Sequence, residues 1–317
     1  MVSPGVIRVV FMGTGRFAIP SLEGLVKAGY LLVGVISQPP RPAGRSRPLT
    51  PPPLMEAAVR LGLSVRTPER LRAPDSVAAL AGLQPDLVVV VAYGQILPRS
   101  VLDLPTYGCL NVHGSLLPRW RGASPIQAAI LAGDEATGVT LMRMDAGMDT
   151  GPILARRPTP IGDGDKAPDL EERLSHMGAD LLVEELPRYL EGRLTPMPQD
   201  ETLATYAPII RKEDGQVDWS RSAVAIWRAT RAYTPWPGSY TFWNGRMLKL
   251  LSCRPEGSAG VTEPPGTVVP VEGGREAAVV TGSGLLRLIE VALEGGRPLS
   301  IRDFLPGHRN FLGSRLG

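Results

Sequence analysis

The segment Asp86–Ala92, in which four consecutive valines follow Leu87, constrains the fold of this 317-residue chain more than any other stretch. It lacks the alternation of polar and apolar residues that a half-exposed strand would have, and it is therefore typical of a strand buried on both faces. Such strands occur in parallel sheets whose two faces are covered by helices. The segment predicts an α/β fold.

Strand and helix patterns alternate along residues 6–190, as they do in doubly wound sheets. The alternation predicts a doubly wound, mostly parallel, Rossmann-like sheet. The predicted strands are Val6–Met12, Leu31–Ile36, Ser64–Arg66, Asp86–Ala92, Cys109–His113 and Gly138–Met144, with Ile153–Arg157 as an outer strand. The predicted helices are a segment ending near Ala28, then Leu54–Leu61, Asp75–Ala81, Ser124–Ala132 and Leu170–Leu190.

The pattern changes between Gly192 and Pro208, where periodicity fades and prolines recur, which indicates a linker. A helix at Ala223–Tyr233 and about five short strands with glycine-rich turns follow, a pattern typical of a small OB-like β-barrel. We therefore predict a catalytic domain at 1–192, a linker at 193–210 and a barrel domain at 211–317. The barrel strands are predicted near Tyr240–Trp243, Met247–Ser252, Gly266–Val269, Ala277–Thr281 and Leu285–Ala292.

Charge is distributed unevenly between the two parts of the chain. Residues 211–317 hold 14 Lys/Arg and 10 Asp/Glu, whereas residues 1–210 hold 20 and 21. A basic second part favours an anionic partner.

The two cysteines, Cys109 and Cys253, are far apart and lack CxxC spacing. This spacing argues against a disulfide framework and against a zinc site, and it suits a reducing compartment. The sequence contains neither an 18-residue apolar run nor a signal-peptide pattern. We therefore expect a cytoplasmic protein without a membrane partner.

The triplet Gly13-Thr14-Gly15 follows the first predicted strand and has the letters of a dinucleotide-binding turn. That fingerprint requires an acidic residue about 20 positions on, at the end of the second strand, to bind a ribose. The second strand ends instead in Ser37-Gln38-Pro39-Pro40. We therefore favour a closely packed turn between a strand and a helix over an NAD site.

The segment Gln38–Pro53 holds seven prolines and three arginines but no acidic residue. Prolines remove backbone donors, so the segment is predicted to be neither a helix nor an inner strand. Long loops of this kind are commonly functional or disordered. From the residues alone, a solvated insertion and an arm that binds phosphates are both open.

Polar residues gather where the predicted strand Cys109–His113 ends. Asn111 and His113 are two positions apart and so lie on one face of that strand. A glycine-rich loop at Met144–Pro152 carries Asp149. Ligands bind at the carboxyl ends of parallel strands in open α/β sheets. A carboxylate from this loop would reach the imidazole if the two strand ends are neighbours.

An amide, an imidazole and a carboxylate suit the transfer of an acyl-type carbon between two nitrogens. The Asn111 amide and a protonated His113 would donate hydrogen bonds to the oxygen on which negative charge develops. Asp149 would stabilise the imidazolium and assist removal of the proton from the attacking amine. A metal would need more ligands nearby, and Ser115 lacks the second glycine of a nucleophile elbow.

At these residues the chain resembles a known family. The run Asn111–Gln127, followed by Gly138-Val-Thr and Met144–Gly151, closely resembles the methionyl-tRNA formyltransferases. The similarity covers essentially the whole chain. It extends to Phe11-Met-Gly-Thr, Gln38-Pro, Arg41-Pro-Ala-Gly-Arg45, Val91-Ala-Tyr-Gly94, Trp219-Ser and Pro235-Trp-Pro.

The resemblance implies transfer of a formyl group from 10-formyltetrahydrofolate to the amine of charged initiator tRNA. It implies that no metal is used, and we expect a monomer. The implied catalytic residues are Asn111, His113 and Asp149. The implied folate-binding residues are Ser115, Leu116, Leu117 and Pro118. The implied tRNA-binding residues, which would act with the C-terminal barrel, are Arg41, Arg45 and Arg47.

The chain departs from the family pattern at two places. Relatives have Pro-Asp where this chain has Gly15-Arg16, and the arginine-rich loop differs from theirs at Pro40 and Ser46. Formyltransferases of glycinamide ribonucleotide or sugar amines and formyltetrahydrofolate hydrolases share the catalytic set. They should not need an arginine loop together with a basic barrel. A catalytically idle tRNA-binding protein is the alternative from a different class.

Overall fold

The computed structural model describes residues 6–42, 49–257 and 261–317, and the chain divides into two compact units. The first unit falls within 1–125, 136–160 and 170–207, and the second within 126–135, 161–169 and 208–317. Much of the segment expected to be a linker thus belongs to the first unit, because Tyr206–Ala207 pairs with Arg121–Gly122. Residues 161–169 belong to the second unit, where Arg231 donates hydrogen bonds to the carbonyls of Gly162 and Asp165.

The first unit is built on a seven-stranded sheet with the order β10-β9-β7-β6-β1-β2-β5. These strands are β1 (Arg8–Gly13), β2 (Leu31–Ile36), β5 (Val65–Arg66), β6 (Leu87–Val91), β7 (Cys109–His113), β9 (Ala136–Arg143) and β10 (Ile153–Pro160). The strands from β7 to β5 are parallel, whereas β9 is antiparallel to both of its neighbours. The predicted α/β, mostly parallel fold is confirmed.

Helices occur in both units. They are α1 (Ile19–Lys27), α2 (Pro53–Arg60), α3 (Pro74–Ala81), α4 (Arg99–Leu102), α5 (Pro125–Ala132), α6 (Ala167–Leu190), α7 (Ala223–Ala232) and α8 (Ile301–Gly307). Helices α2 and α3 each begin at a proline, which lacks the N–H that would be unpaired at the first helical position. All five residues of β6 are buried, as its unbroken apolar sequence predicts.

Close packing explains the glycine turn after β1. A Cβ atom on Gly13 would lie 2.7 Å from the Val91 carbonyl oxygen and 2.8 Å from the Ala18 Cβ atom. A Cβ atom on Gly15 would meet nothing within 4 Å. The first glycine is therefore required by the contact between β1, β6 and the following helical turn.

The second unit contains an antiparallel sheet with the order β12-β13-β16-β15-β14, and β17 pairs with β16. The C-terminal tail links the two outer strands: the Val268 N–H donates to Ser314, and the Gly317 N–H donates to Phe242. The prediction of a C-terminal domain built from short strands is thus confirmed, and its sheet is antiparallel. Its strands are β12 (Ser239–Trp243), β13 (Arg246–Glu256), β14 (Val268–Val271), β15 (Glu276–Val280), β16 (Leu285–Leu293) and β17 (Leu299–Ser300).

Candidate functional site

Strand β7 presents Asn111 and His113 on one face, as the spacing predicts. Asn111 pairs with Val90 of β6, and His113 lies opposite Thr140 of β9. Both side chains are largely buried, with 9% and 7% exposed. Their positions are therefore fixed by pairing on both sides of the strand.

Asp149 reaches these two residues by a route that the sequence did not predict. Because β9 is antiparallel to β7, Arg143 at its carboxyl end pairs with Leu110, away from His113. The two strand ends are therefore not neighbours, and the condition stated for this contact is not met. The loop after β9 instead turns back, and Ile153 at its far end pairs with Met142. This return brings Asp149 beside β7.

The three side chains converge at distances slightly longer than ordinary hydrogen bonds. The Oδ2 atom of Asp149 lies 3.7 Å from Nδ1 of His113, and its Oδ1 atom lies 3.5 Å from Nδ2 of Asn111. The Gly122 N–H donates a 2.8 Å hydrogen bond to Oδ2. Catalytic hydrogen bonds are often long before the substrate binds. The long distances are therefore compatible with a catalytic role for the three groups.

The orientation of His113 is set by a backbone carbonyl. Its Nε2 atom lies 2.9 Å from the oxygen of Trp120. A carbonyl can only accept, so Nε2 carries a proton. The other ring nitrogen, Nδ1, consequently faces the carboxylate of Asp149. Protonation of Nδ1 would give an ion pair and a donor directed into the site.

The turn after β7 is held by internal hydrogen bonds. The Ser115 hydroxyl donates to the Arg119 carbonyl at 2.6 Å. The Leu117 N–H donates to the Thr140 hydroxyl at 3.1 Å. Ser115 and Leu117 are fully buried, whereas Leu116 and Pro118 are half-buried. Of the four residues predicted to bind folate, only Leu116 and Pro118 are therefore accessible to a ligand without rearrangement.

A second loop lies near the same part of the sheet. Tyr93 follows β6, and its ring is packed in an apolar cluster with Leu97 and Met144. Burial raises the pKa of Tyr93 to about 12. The Gln38 side chain donates to the Tyr93 carbonyl at 3.3 Å and accepts from Gln95 at 3.3 Å. The base of the arginine-rich segment is thereby tied to this loop.

Two short stretches of the arginine-rich segment, one on each side of residues 43–48, pair with each other. Arg41–Pro42 (β3) pairs antiparallel with Leu49–Thr50 (β4), so the segment is not a simple loop. Arg41 is exposed. Arg45 and Arg47, two of the three predicted tRNA contacts, lie outside the described residues.

Sequence reasoning missed one group of residues around Asp149. Arg121 is fully buried and forms a salt bridge with Glu201 at 2.8 Å. The Glu201 side chain raises the pKa of Arg121, and the hydrogen bond from Arg121 lowers the pKa of Glu201. The Gln199 amide joins Arg121 to the backbone of Asp149. No local signal distinguishes the buried Arg121 from the exposed Arg119 two positions earlier, because the acceptors that a buried arginine requires come from a distant segment.

The described ranges 6–42, 49–257 and 261–317 contain no cluster of three or more His, Cys, Asp or Glu side chains that could hold a metal ion. Within the same ranges, no helix has the length and apolarity needed to cross a bilayer.

Two family models match the chain. Residues 7–186 match formyl transferase, and residues 209–309 match the formyl transferase C-terminal domain. A methionyl-tRNA formyltransferase of Chloroflexus aurantiacus is 49% identical over 301 residues, covering 95% of this chain and 97% of that protein. A methionyl-tRNA formyltransferase of Geobacter sulfurreducens is 46% identical over 312 residues, covering 98% and 97%.

Solved structures share the fold at low sequence identity. An N-formyltransferase of Helicobacter canadensis, in complex with folinic acid and dTDP-3-aminofucose, aligns with a TM-score of 0.65 and 18% identity, covering 89% of this chain and 98% of that chain. HypX of Aquifex aeolicus, in complex with tetrahydrofolic acid, aligns with a TM-score of 0.61 and 19% identity, covering 94% and 47%.

Proposed function

Because the chain belongs to the family of methionyl-tRNA formyltransferases, we propose that Asn111, His113 and Asp149 carry out its formyl transfer. The reaction moves the formyl group of 10-formyltetrahydrofolate to the amino group of methionyl initiator tRNA. The proposal is supported by one observation above all. The Asp149 carboxylate lies 3.5 Å from the Asn111 amide and 3.7 Å from the His113 imidazole, and these two side chains share one face of β7.

In the proposed mechanism the amine attacks the formyl carbon, and negative charge develops on the formyl oxygen. The Nδ2–H of Asn111 and the Nδ1–H of protonated His113 donate to that oxygen. Asp149 stabilises the imidazolium and accepts the proton of the attacking amine, directly or through water. The carbon–nitrogen bond to the folate then breaks, and the proton passes to the departing nitrogen. No covalent enzyme intermediate is required.

The folate is proposed to lie beside the turn 115–118, between the loops 93–98 and 145–150. The position of the loop 93–98 supports this placement, because it follows β6, whose Val90 pairs with Asn111. The turn would contribute the partly exposed Leu116 and Pro118, whereas the fully buried Ser115 and Leu117 would contact the folate only after a shift of the turn. Backbone groups would supply most of the polar contacts, and no metal would be needed.

The tRNA acceptor end is proposed to bind the arginine-rich segment through Arg41, Arg45 and Arg47. Guanidinium groups suit phosphates and base edges. The basic C-terminal region, 211–317, is proposed to add contacts to the tRNA. The enzyme is further proposed to act as a cytoplasmic monomer without a metal, which light scattering and activity after chelation would test.

The deciding experiment compares formylation of charged initiator tRNA with formylation of free methionine, using 10-formyltetrahydrofolate. We expect efficient formylation of the tRNA and slow formylation of the free amino acid. Transfer to neither, with tRNA binding intact, would instead identify a catalytically idle tRNA-binding protein. Equal transfer to both would contradict the proposed role of tRNA contacts.

A further inference from the structure

We propose that Gln199 is a positioning residue for formyl transfer, which fixes Asp149 through its backbone and is itself oriented by Arg121. The inference rests on the proposed catalytic role of Asp149. It assigns a function to a part of the chain, 193–207, that looks like a linker in the sequence.

The side-chain amide of Gln199 binds the backbone on both sides of Thr150. Its Nε2 group donates to the Asp149 carbonyl at 2.7 Å and to the Gly151 carbonyl at 2.8 Å. Both amide hydrogens are therefore used on this short turn. Asp149 has a φ angle of 54°, in the left-handed region that residues with a Cβ atom rarely adopt. The two contacts oppose relaxation of that conformation.

Arg121 determines which way the Gln199 amide faces. The Oε1 atom of Gln199 accepts from Nε of Arg121 at 3.0 Å and from Nη2 at 2.9 Å. The guanidinium is fully buried and is held on its other edge by both carboxylate oxygens of Glu201, each at 2.8 Å. If the Gln199 amide were flipped, its NH2 group would face the N–H donors of Arg121, and its oxygen would face the carbonyl oxygens of Asp149 and Gly151. The guanidinium thus leaves one orientation of Gln199 favourable.

The residues on either side of Arg121 contact the other parts of the site. The Gly122 N–H donates to the Asp149 carboxylate at 2.8 Å, and the Trp120 carbonyl lies 2.9 Å from Nε2 of His113. The segment 120–122 therefore sets the separation of Asp149 from His113. A displacement of about 1 Å in such a site costs about 10²-fold in rate. The loss should appear in kcat, because Gln199 contacts protein groups rather than the proposed substrate sites.

A merely structural role for Gln199 would be to provide an acceptor for the buried charge of Arg121. The variant Gln199→Glu separates the two roles. Glutamate retains the acceptor toward Arg121 and adds an opposite charge. It also replaces the amide donors by a carboxylate that faces the Asp149 and Gly151 carbonyls. A positioning role predicts loss of rate in this variant, whereas a role limited to accepting from Arg121 predicts wild-type rate and wild-type Tm.

The experiment measures kcat, both KM values and Tm for Gln199→Glu, Gln199→Ala and Asp149→Asn with charged initiator tRNA and 10-formyltetrahydrofolate. Asp200→Asn is the matched control, since Asp200 is exposed and its carboxylate binds Thr202. We expect kcat of Gln199→Glu and Gln199→Ala to fall by about 10²-fold, with each KM changed by less than about threefold. The Asp200→Asn control should match the wild type.

Two results would overturn the inference, and a third would challenge its premise. Wild-type kcat in Gln199→Glu, with Asp149→Asn inactive, would reject positioning by Gln199 and leave the proposed function intact. A parallel fall of kcat, folate affinity and Tm in both Gln199 variants would show that they disturb the fold as a whole, and would reject specific positioning of Asp149. Near wild-type turnover in Asp149→Asn would reject the catalytic assignment on which the inference depends.

Discussion

The Gly122 N–H donates a 2.8 Å hydrogen bond to the Oδ2 atom of Asp149, the oxygen that lies 3.7 Å from His113. Gly122 has a φ angle of 109°, and a Cβ atom there would lie 2.7 Å from the Ala207 carbonyl oxygen. The glycine therefore allows its own N–H to approach Asp149 while β8 (Arg121–Gly122) pairs with β11 (Tyr206–Ala207). The carboxylate is held by a segment remote from its own loop in sequence.

Replacement of the catalytic side chains should reduce turnover without unfolding the protein. His113→Ala and Asp149→Ala are each expected to abolish most transfer while tRNA binding persists. Asn111→Ala should lower the rate by about 10²–10³-fold, the usual loss on removing one oxyanion donor. The measurement is turnover at saturating substrates, with circular dichroism as the folding control. Near wild-type turnover of Asn111→Ala would contradict its proposed role.

Arg45→Ala should impair formylation of tRNA far more than slow transfer to a small amine. The motivation is the arginine-rich, acid-free segment 38–53, and the exposed Arg60 on α2 provides the control variant Arg60→Ala. Loss of one phosphate contact should flatten the log–log salt dependence of tRNA binding by ~0.7–0.9. Charged initiator tRNA is titrated across a salt series with each variant. If Arg45→Ala bound and formylated tRNA like the wild type, tRNA recognition would have to lie elsewhere.

Gly13→Ala should destabilise the first unit, whereas Gly15→Ala should not. The added methyl at Gly13 would be 2.7 Å from the Val91 carbonyl oxygen, and that at Gly15 would meet nothing within 4 Å. Overpacking of this kind costs about 1–3 kcal/mol in unfolding free energy. Urea unfolding of the two variants measures the difference. Equal free energies of unfolding would show that the backbone around Gly13 and Val91 can separate at little cost. Close packing would then not explain why residue 13 is a glycine.

Glu201→Gln should lower stability at neutral pH and make stability less sensitive to acid. The hydrogen bond from Arg121 lowers the pKa of Glu201 below its ordinary value of 4.5. A lowered folded-state pKa contributes stability above the unfolded value, and that contribution is lost as pH falls through the folded value. The difference in Tm between wild type and variant should therefore shrink below pH 4.5.

Thermal unfolding between pH 7 and pH 3 tests this difference, with Glu23→Gln on the exposed side of α1 as the control. A constant difference in Tm across the range would show that the ionised Glu201 carboxylate does not act through Arg121.

Much of the first unit is readable from local pattern. Strands β2 and β7 have the predicted bounds, and β6 differs from its prediction by one residue at each end. Local periodicity succeeds here because a strand buried on both faces must be apolar throughout, and few other structures tolerate such a run. Asn111 and His113 can be placed on one face of β7 from the sequence alone, because side chains two positions apart along a strand lie on the same face.

The α/β class, the short strands of the C-terminal region and the shared face of Asn111 and His113 can be predicted from the sequence, because each depends on spacing within one segment. The antiparallel direction of β9 relative to β7 is seen only in the tertiary structure. The same is true of the loop path that brings Asp149 back to His113. The tertiary structure also shows that Gln199 and Glu201, from the segment 193–207, accept hydrogen bonds from the buried Arg121. Strand direction and the choice of partner for a buried charge depend on contacts between residues distant in sequence, which no local period records.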